Sequence, residues 1–184
     1  MVTARPAAYD IAAATPDPEL PMLTVADLGI LRSVEDTPDG VVVTITPTYS
    51  GCPAMHEISA DLRHRLERAG FAGVTVRTQL APPWTTDWIT PDGRRKLAEA
   101  GIAPPFPAPR GHHRASSGSY SAPNDARSSR TGPVPLTLGP PPSPACPRCG
   151  SADTVAVAEF GATACKSLYR CAACGEPFEG VKAL

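Results

Sequence analysis

This sequence has almost no net charge and no long apolar run. Its 184 residues carry 17 Lys and Arg against 18 Asp and Glu, a formal net charge of −1. No global field therefore recruits nucleic acid or an anionic membrane surface. No stretch approaches the roughly 18–20 consecutive apolar residues that a membrane span needs, so no membrane partner is expected. The opening stretch, MVTARPAAYDIAAATPDPEL, has one early Arg but no continuous apolar segment of the kind a secretory leader carries, and a cytoplasmic protein is expected. The chain also lacks a nucleotide-binding glycine pattern, a nucleophile-elbow serine and a histidine-rich metal helix. No catalytic residue can be assigned from the residues themselves.

What the chain has in quantity is proline, 23 residues, together with six cysteines. Without a leader the compartment is expected to be reducing, which favours metal or redox chemistry for the thiols over structural disulfides. The prolines divide the chain. Residues 103–144, rich in Pro, Ser, Gly and Ala, hold too few large apolar residues to offset the entropy of ordering, and read as a disordered tether. Its Arg110, Arg114, Arg127 and Arg130 oppose only Asp125, a basic bias that a solvated linker explains.

Upstream, residues 5–102 have globular patterning. A short helix is expected over Pro6 to Ala14, with Tyr9 and Ile11 on it, and a strand over Leu28 to Glu35. The turn signal DTPDG follows, and then VVVTITP, where Val41, Val43 and Ile45 alternate with more polar neighbours, so the two strands should pair as a hairpin. Pro53 suits a helix start and Gly70 a helix stop; between them Met55, Ile58, Leu62, Leu66 and Ala69 recur at three- and four-residue steps, building one apolar face. A third strand is expected from Val74 to Leu80, with Val74, Val76 and Leu80 on one face. The last helix runs from Pro91 to Ala100, capped by Thr90 and stopped by Gly101. The fold class is α+β: a small three-stranded sheet with helices packed on it, followed by a separate C-terminal module.

That module, residues 145–184, contains CPRCG and CAACG. Cys146, Cys149, Cys171 and Cys174 thus form two C-x-x-C pairs separated by 21 residues, the signature of a four-thiolate zinc site. In each knuckle the glycine permits the left-handed backbone that closes the turn. TVAVAEF, SLYRC and PFEGVK supply strands, giving a zinc-ribbon-like β module. Aromatic content is slight, Phe160, Tyr169 and Phe178, and about 40 residues hold too little core to fold unaided. Bound metal would supply folding free energy on the order of 10 kcal/mol. Structural zinc is the first reading, and an iron–sulfur cluster on the same four thiolates is the second.

Two thiols belong to no pair. Cys165, six residues before Cys171, reads as a half-buried packing thiol, with a reactive thiol or an exchange ligand as alternatives. Lys166 beside it favours a thiolate only weakly, because neighbours on a strand point to opposite faces. Cys52 immediately precedes Pro53 and is expected at the helix N-cap, where free N–H groups and the macrodipole favour an anion and a thiolate would be stabilised. The plain alternative is a capping residue that packs. His56 lies one turn on and could approach the same region as a further candidate for metal or cluster transfer, although a solvated surface histidine is the ordinary outcome. Asp17, Glu19 and Asp27 read as cap or turn residues, since nothing in their spacing makes a catalytic pair.

Three separated segments in order, DPELPMLTVADLGI, VVVTITPTYSGCPAM and LAPPWTTDWITPDGRRKL, resemble the metal–sulfur cluster assembly domain family that includes SufT-like proteins, over about residues 7–102. The tail FGATACKSLYRCAACGEPFEGVK is similar to the ending of a family of accessory subunits of the ring 1,2-phenylacetyl-CoA epoxidase, and there Cys165 belongs to the motif. The resemblance implies a bacterial accessory factor in phenylacetate catabolism that assists maturation of the epoxidase's metal or iron–sulfur centres. The oxygenase chemistry would lie on other subunits, and this chain would be non-catalytic. The implied partners are the epoxidase subunits, especially the iron–sulfur reductase or the di-iron oxygenase, with a transient iron–sulfur cluster as a further cofactor. A structural or electron-transfer subunit of that complex is the alternative. The resemblance carries a transfer role onto Cys52 and less directly onto Asp17, Glu19 and Asp27. Trp84 and Trp88 are candidates for an interface. Nucleic-acid binding by the tail is disfavoured, since Arg148, Lys166, Arg170 and Lys182 are too few for a basic footprint.

Overall fold

A computed structural model describes residues 7–49, 51–105 and 143–182. The Pro/Ser-rich stretch expected to be a tether falls mostly on residues 106–142, outside the described residues.

In the N-terminal module, helix α1 (Ala8–Ala13) buries Ala8 and Ala12, while Tyr9 points to solvent. The hairpin is present: β1 (Leu31–Thr37) pairs antiparallel with β2 (Gly40–Ile45), closed by the two residues Pro38 and Asp39. Its first strand begins three residues later than the expected Leu28, because Leu28 and Gly29 are held in a turn by N–H bonds to Thr24 and Ala26 carbonyls. Alternation on β2 is strict, with Val41, Val43 and Ile45 buried. Helix α2 (Ala54–Arg68) is the crossover that a parallel pair requires, and it returns the chain to β3 (Thr75–Thr78) alongside β2. Ile58, Leu62 and Leu66 on α2 are buried against the sheet residues and Leu23, Val25, Ile30 and Leu97. β3 is shorter than expected. Leu80 lies beyond it and is 69% exposed, so it joins no apolar face.

A 3₁₀ turn (Thr86–Trp88) leads to α3 (Pro91–Glu99). Thr90 caps α3 by accepting from Gly93 N–H at 3.0 Å, and Gly101 closes it with φ +77°. The C-terminal module is a second three-stranded sheet of β4 (Thr154–Ala158), β5 (Lys166–Cys171) and β6 (Pro177–Val181), antiparallel throughout. Among the described residues no helix is long and apolar enough to cross a membrane.

The two modules are in register with each other. Ala103, expected as the start of the tether, instead donates to Glu179 O at 2.8 Å and accepts from Val181 N–H at 3.0 Å, forming a parallel bridge to β6. Val181 packs against the N-terminal core, and Pro144 O accepts from the Thr154 hydroxyl at 2.7 Å.

Asp27 shows how the loop before β1 is fixed. Its carboxylate accepts from the Thr24 N–H and hydroxyl at 2.9 and 3.0 Å and from Lys96 Nζ of α3 at 2.8 Å. Burial opposes the charge, but the Lys96 ammonium and the Thr24 donors outweigh it and hold the carboxyl below its ordinary range. A depressed folded-state pKa contributes stability that is present above the unfolded value of about 4 and is lost as the pH falls through the folded value. Urea midpoints measured across acid pH should therefore fall less steeply for Asp27→Asn than for wild type. Equal acid slopes would mean that the pair contributes nothing.

Candidate functional site

The four paired cysteines meet. Each knuckle is built the same way: Gly150 and Gly175, at φ +74° and +76°, donate to the carbonyls of Cys146 and Cys171 at 2.8 and 2.9 Å. The first cysteine of each knuckle donates its own N–H two residues beyond the second, Cys146 to Ser151 O and Cys171 to Glu176 O, both at 2.9 Å. This repeat aims four sulfurs at one point. Their Sγ atoms all lie within 4.8 Å of one another, with Cys146–Cys174 at 3.8 Å and Cys149–Cys171 at 3.6 Å. A tetrahedron of thiolates about 2.3 Å from a central ion has edges of about 3.8 Å, so the spacing fits a single metal ion. Cys146 and Cys171 are buried while Cys149 and Cys174 face solvent, which places the centre at the module's tip. The N–H of Cys174 favours a thiolate at Cys171, which is lowered to about 7.

The two unpaired thiols line one pocket, although they come from different modules. A pocket of about 30 Å³ is lined by Asp17, Glu19, Thr48, Cys52, Trp84, Cys165 and Lys182, with Leu20, Leu28, Ile30 and Val181. Cys165 lies one residue before β5, and its thiol donates to Glu19 Oε2 at 3.4 Å while contacting the Thr163 hydroxyl at 3.0 Å. Lys182 N–H, just past β6, donates to the Cys165 carbonyl at 3.0 Å. The loop before it is held by Glu179, which accepts from Lys166 Nζ at 2.7 Å and from Ala162 N–H at 2.9 Å. A Cβ on Gly161 would lie 2.8 Å from that same carboxylate, which is a physical reason for glycine in FGATACK. Burial, chiefly, pushes the Cys165 thiol up to about 11. Lys166 is buried and paired with Glu179, and its opposing effect on the thiol is small.

Cys52 does not hold the cap expected of it. Pro53 occupies that position with helical dihedrals and no side-chain cap bond, and Cys52 is one residue outside, its carbonyl accepting from Met55 N–H at 3.3 Å. Nor is its thiolate favoured. Burial raises the Cys52 thiol above its ordinary value; the Ala54 N–H and the Thr48 hydroxyl work the other way, and the Glu19 and Asp17 carboxylates add to the rise. Asp17 itself is buried, and its Oδ1 accepts from the N–H groups of Glu19 and Leu20 at 2.9 and 2.8 Å. Desolvation raises its carboxyl despite those bonds.

The remaining candidates separate. His56 is exposed on α2 and does not line the pocket. Asp27 serves the loop described above. Trp84 is buried, and its indole N–H donates to Leu28 O at 2.8 Å, so it is a pocket wall and a core residue rather than an exposed anchor. Trp88 is partly buried, with the Arg32 guanidinium 3.9 Å from its ring centre. Sequence reasoning missed Thr48, Thr163 and Lys182. The two threonines stand two to four residues before the thiols they adjoin, a proximity that could have flagged them.

Known proteins match both modules. Residues 14–77 match the model of the iron–sulfur cluster assembly protein family, and residues 130–182 match the PaaD zinc beta ribbon domain. The chain is 43% identical over 169 residues to an Escherichia coli K12 protein named as one subunit of a "putative 1,2-phenylacetyl-CoA epoxidase", covering 92% of this chain and 87% of that one. It is 36% identical over 83 residues to an Fe-S protein maturation auxiliary factor of Porphyromonas gingivalis, covering 44% of this chain and 78% of the other. A domain of unknown function from Bacillus anthracis aligns with 26% identity and a TM-score of 0.45, covering 49% of this chain and 87% of that one. A conserved hypothetical protein from Thermotoga maritima aligns with 23% identity and a TM-score of 0.42, covering 52% and 98%. An iron–sulfur assembly module continuous with a four-cysteine ribbon, matched almost end to end, places the chain in the PaaD family of 1,2-phenylacetyl-CoA epoxidase subunits.

Proposed function

We propose that this protein is a cytoplasmic, non-catalytic accessory factor of phenylacetate catabolism that assists maturation of the metal or iron–sulfur centres of the phenylacetyl-CoA epoxidase. Its clients are the iron–sulfur reductase subunit or the di-iron oxygenase. The observation that carries the reading is the convergence of Cys52 and Cys165, from opposite ends of the chain, on one pocket with Glu19 and Asp17. Two thiols and two carboxylates are soft and hard donors together, a set that takes iron without the closed cage that would keep it. The epoxidase relative and the maturation-factor relative support the same reading from two directions. The name of the epoxidase relative also favours a second reading, a structural subunit of the complex, and stoichiometric co-purification with the oxygenase would select it.

In cells that carry Cys52→Ser, the iron content and turnover of the purified epoxidase should fall at least tenfold while the variant itself keeps its amide dispersion. Wild-type epoxidase from that strain would defeat the transfer role. Cys165→Ser should behave alike.

The ribbon ion has a different role in this reading. Four thiolates at tetrahedral spacing hold resident zinc as a structural ion, which gathers the two knuckles and folds the module. Metal analysis of anaerobically purified protein should find one zinc per chain. Stripping by a strong chelator should erase the dispersed amide resonances of β4, β5 and β6 and leave those of the N-terminal sheet. Iron and sulfide in place of zinc, or resonances that survive stripping, would overturn the assignment.

A further inference from the structure

We propose that the interface pocket binds one divalent transition-metal ion, ferrous iron being the cargo, on the Cys52 and Cys165 thiolates and the Glu19 carboxylate, and that it does not hold an assembled cluster. This rests on the maturation reading above and specifies what is handled there.

Room comes first. The pocket offers about 30 Å³, where one water needs about 10–15 Å³. One ion with a water ligand fits. An iron–sulfur core has at least four heavy atoms and takes four protein ligands as a rule, and this pocket supplies two thiols. Charge points the same way. Asp17 and Glu19 bring two carboxyl groups to an otherwise largely apolar lining, which favours a cation over the sulfides of a cluster. The nearby cations are engaged elsewhere: Lys166 pairs with Glu179 at 2.7 Å, and the Lys182 ammonium lies 3.9 Å from the Phe160 ring centre.

The pocket's donors are not gathered around one point. Among the described residues only the ribbon cysteines bring three or more ligand atoms within 4.8 Å of one another, so an ion must draw the pocket's donors together by side-chain rotation. Burial raises both thiols, with Glu19 adding to each and Asp17 to Cys52, while Lys166 opposes at Cys165. Tyr49 is a further titratable neighbour, its hydroxyl kept neutral by burial and by the adjacent Cys52, Glu19 and Cys165. Binding is then an exchange in which the divalent ion forms two metal–sulfur bonds and two thiol protons leave to solvent. No electrons move. Affinity rises with pH, and acidification or a better ligand set releases the ion. Thr48 and Thr163 each place a hydroxyl against one sulfur and favour its charged form once bound.

The test uses the full chain with its ribbon ion in place, under anaerobic conditions, with cobalt(II) as the probe. The expected result is one cobalt bound beyond the ribbon ion, thiolate-to-cobalt charge-transfer absorption, and about two protons released per ion. Cys52→Ser and Cys165→Ser should each weaken cobalt binding tenfold or more and reduce the absorption, and Glu19→Gln should weaken it severalfold. The ribbon ion, counted separately, stays in all three. Cobalt binding indifferent to both cysteine substitutions would overturn the proposal, as would iron plus sulfide building a cluster that depends on Cys52 and Cys165. The two readings fail separately. If Cys52→Ser blocks epoxidase maturation in cells but no extra cobalt binds, the ion site falls and the maturation role stands; if cobalt binds as described and maturation is normal, the reverse holds.

Discussion

Two backbone hydrogen bonds decide whether the unpaired thiols reach one pocket. Ala103, directly after α3, donates to Glu179 O and accepts from Val181 N–H, and this bridge sets β6 against the N-terminal module. Val181 then packs against the first core, and Lys182 N–H holds the Cys165 carbonyl. The result is Cys165 beside Glu19. None of this can exist unless β6 exists. The ribbon's own core is only Ala103, Cys146, Cys171 and Phe178 with Tyr169 against it, and two of those residues are ligands at the four-sulfur centre. So small a core does not hold a module of this size unaided. The dependence runs from ion to knuckles, from knuckles to β6, from β6 to docking, and from docking to the pocket.

The same element therefore appears twice in the chain with opposite demands. At the ribbon tip, repeated Cys-x-x-Cys-Gly turns fix four sulfurs within one shell, and a closed shell retains its ion. At the interface, two thiols of raised pKa sit with carboxylates that are not drawn to a common centre. Were the pocket to carry an ion as proposed, proton competition and the movement needed to close the shell would both lower affinity, as release of a cargo requires. In that proposal geometry, more than ligand identity, separates the holding site from the exchanging one.

Much of the fold was legible because its signals were local. The alternation of Val41, Val43 and Ile45 set the β2 face, Pro53 and Gly70 bracketed α2 closely, and Thr90 capped α3 as its position implied. The convergence of the four ribbon cysteines was legible from spacing alone. Errors fell where tertiary contacts decide. Leu80 is apolar yet exposed, since β3 stops at Thr78 before its face could continue. The proline after Cys52 points to that cysteine as the N-cap, but Pro53 takes the position itself, and burial then reverses the expected effect on the thiol. The question that the sequence could raise but not answer was why a ribbon with four ligands carries a fifth cysteine. The structure shows where that cysteine goes, against Glu19, 146 residues away, a separation at which no periodicity or spacing rule operates.

A ligand set divided between two docked modules has a thermodynamic consequence that a set within one module lacks. Any ion held jointly by Cys52 and Cys165 binds the docked arrangement and not the undocked one, so it strengthens docking by the same free energy by which docking strengthens its binding. The reciprocity is obligatory, and it makes release and separation two descriptions of one event. A client that competes for the β6 edge at Ala103, or for the Val181 contact, would loosen Cys165 from Glu19 and so lower the affinity for the ion without touching either sulfur. A client offering thiolates would reach the same end state by taking the ion first. Both routes leave the ribbon's four-sulfur centre intact, because its ligands all lie within the C-terminal module. A structural ion in the ribbon would thus keep Cys165 presented through repeated loading, and the proposed exchange pocket could be weak without cost to the fold.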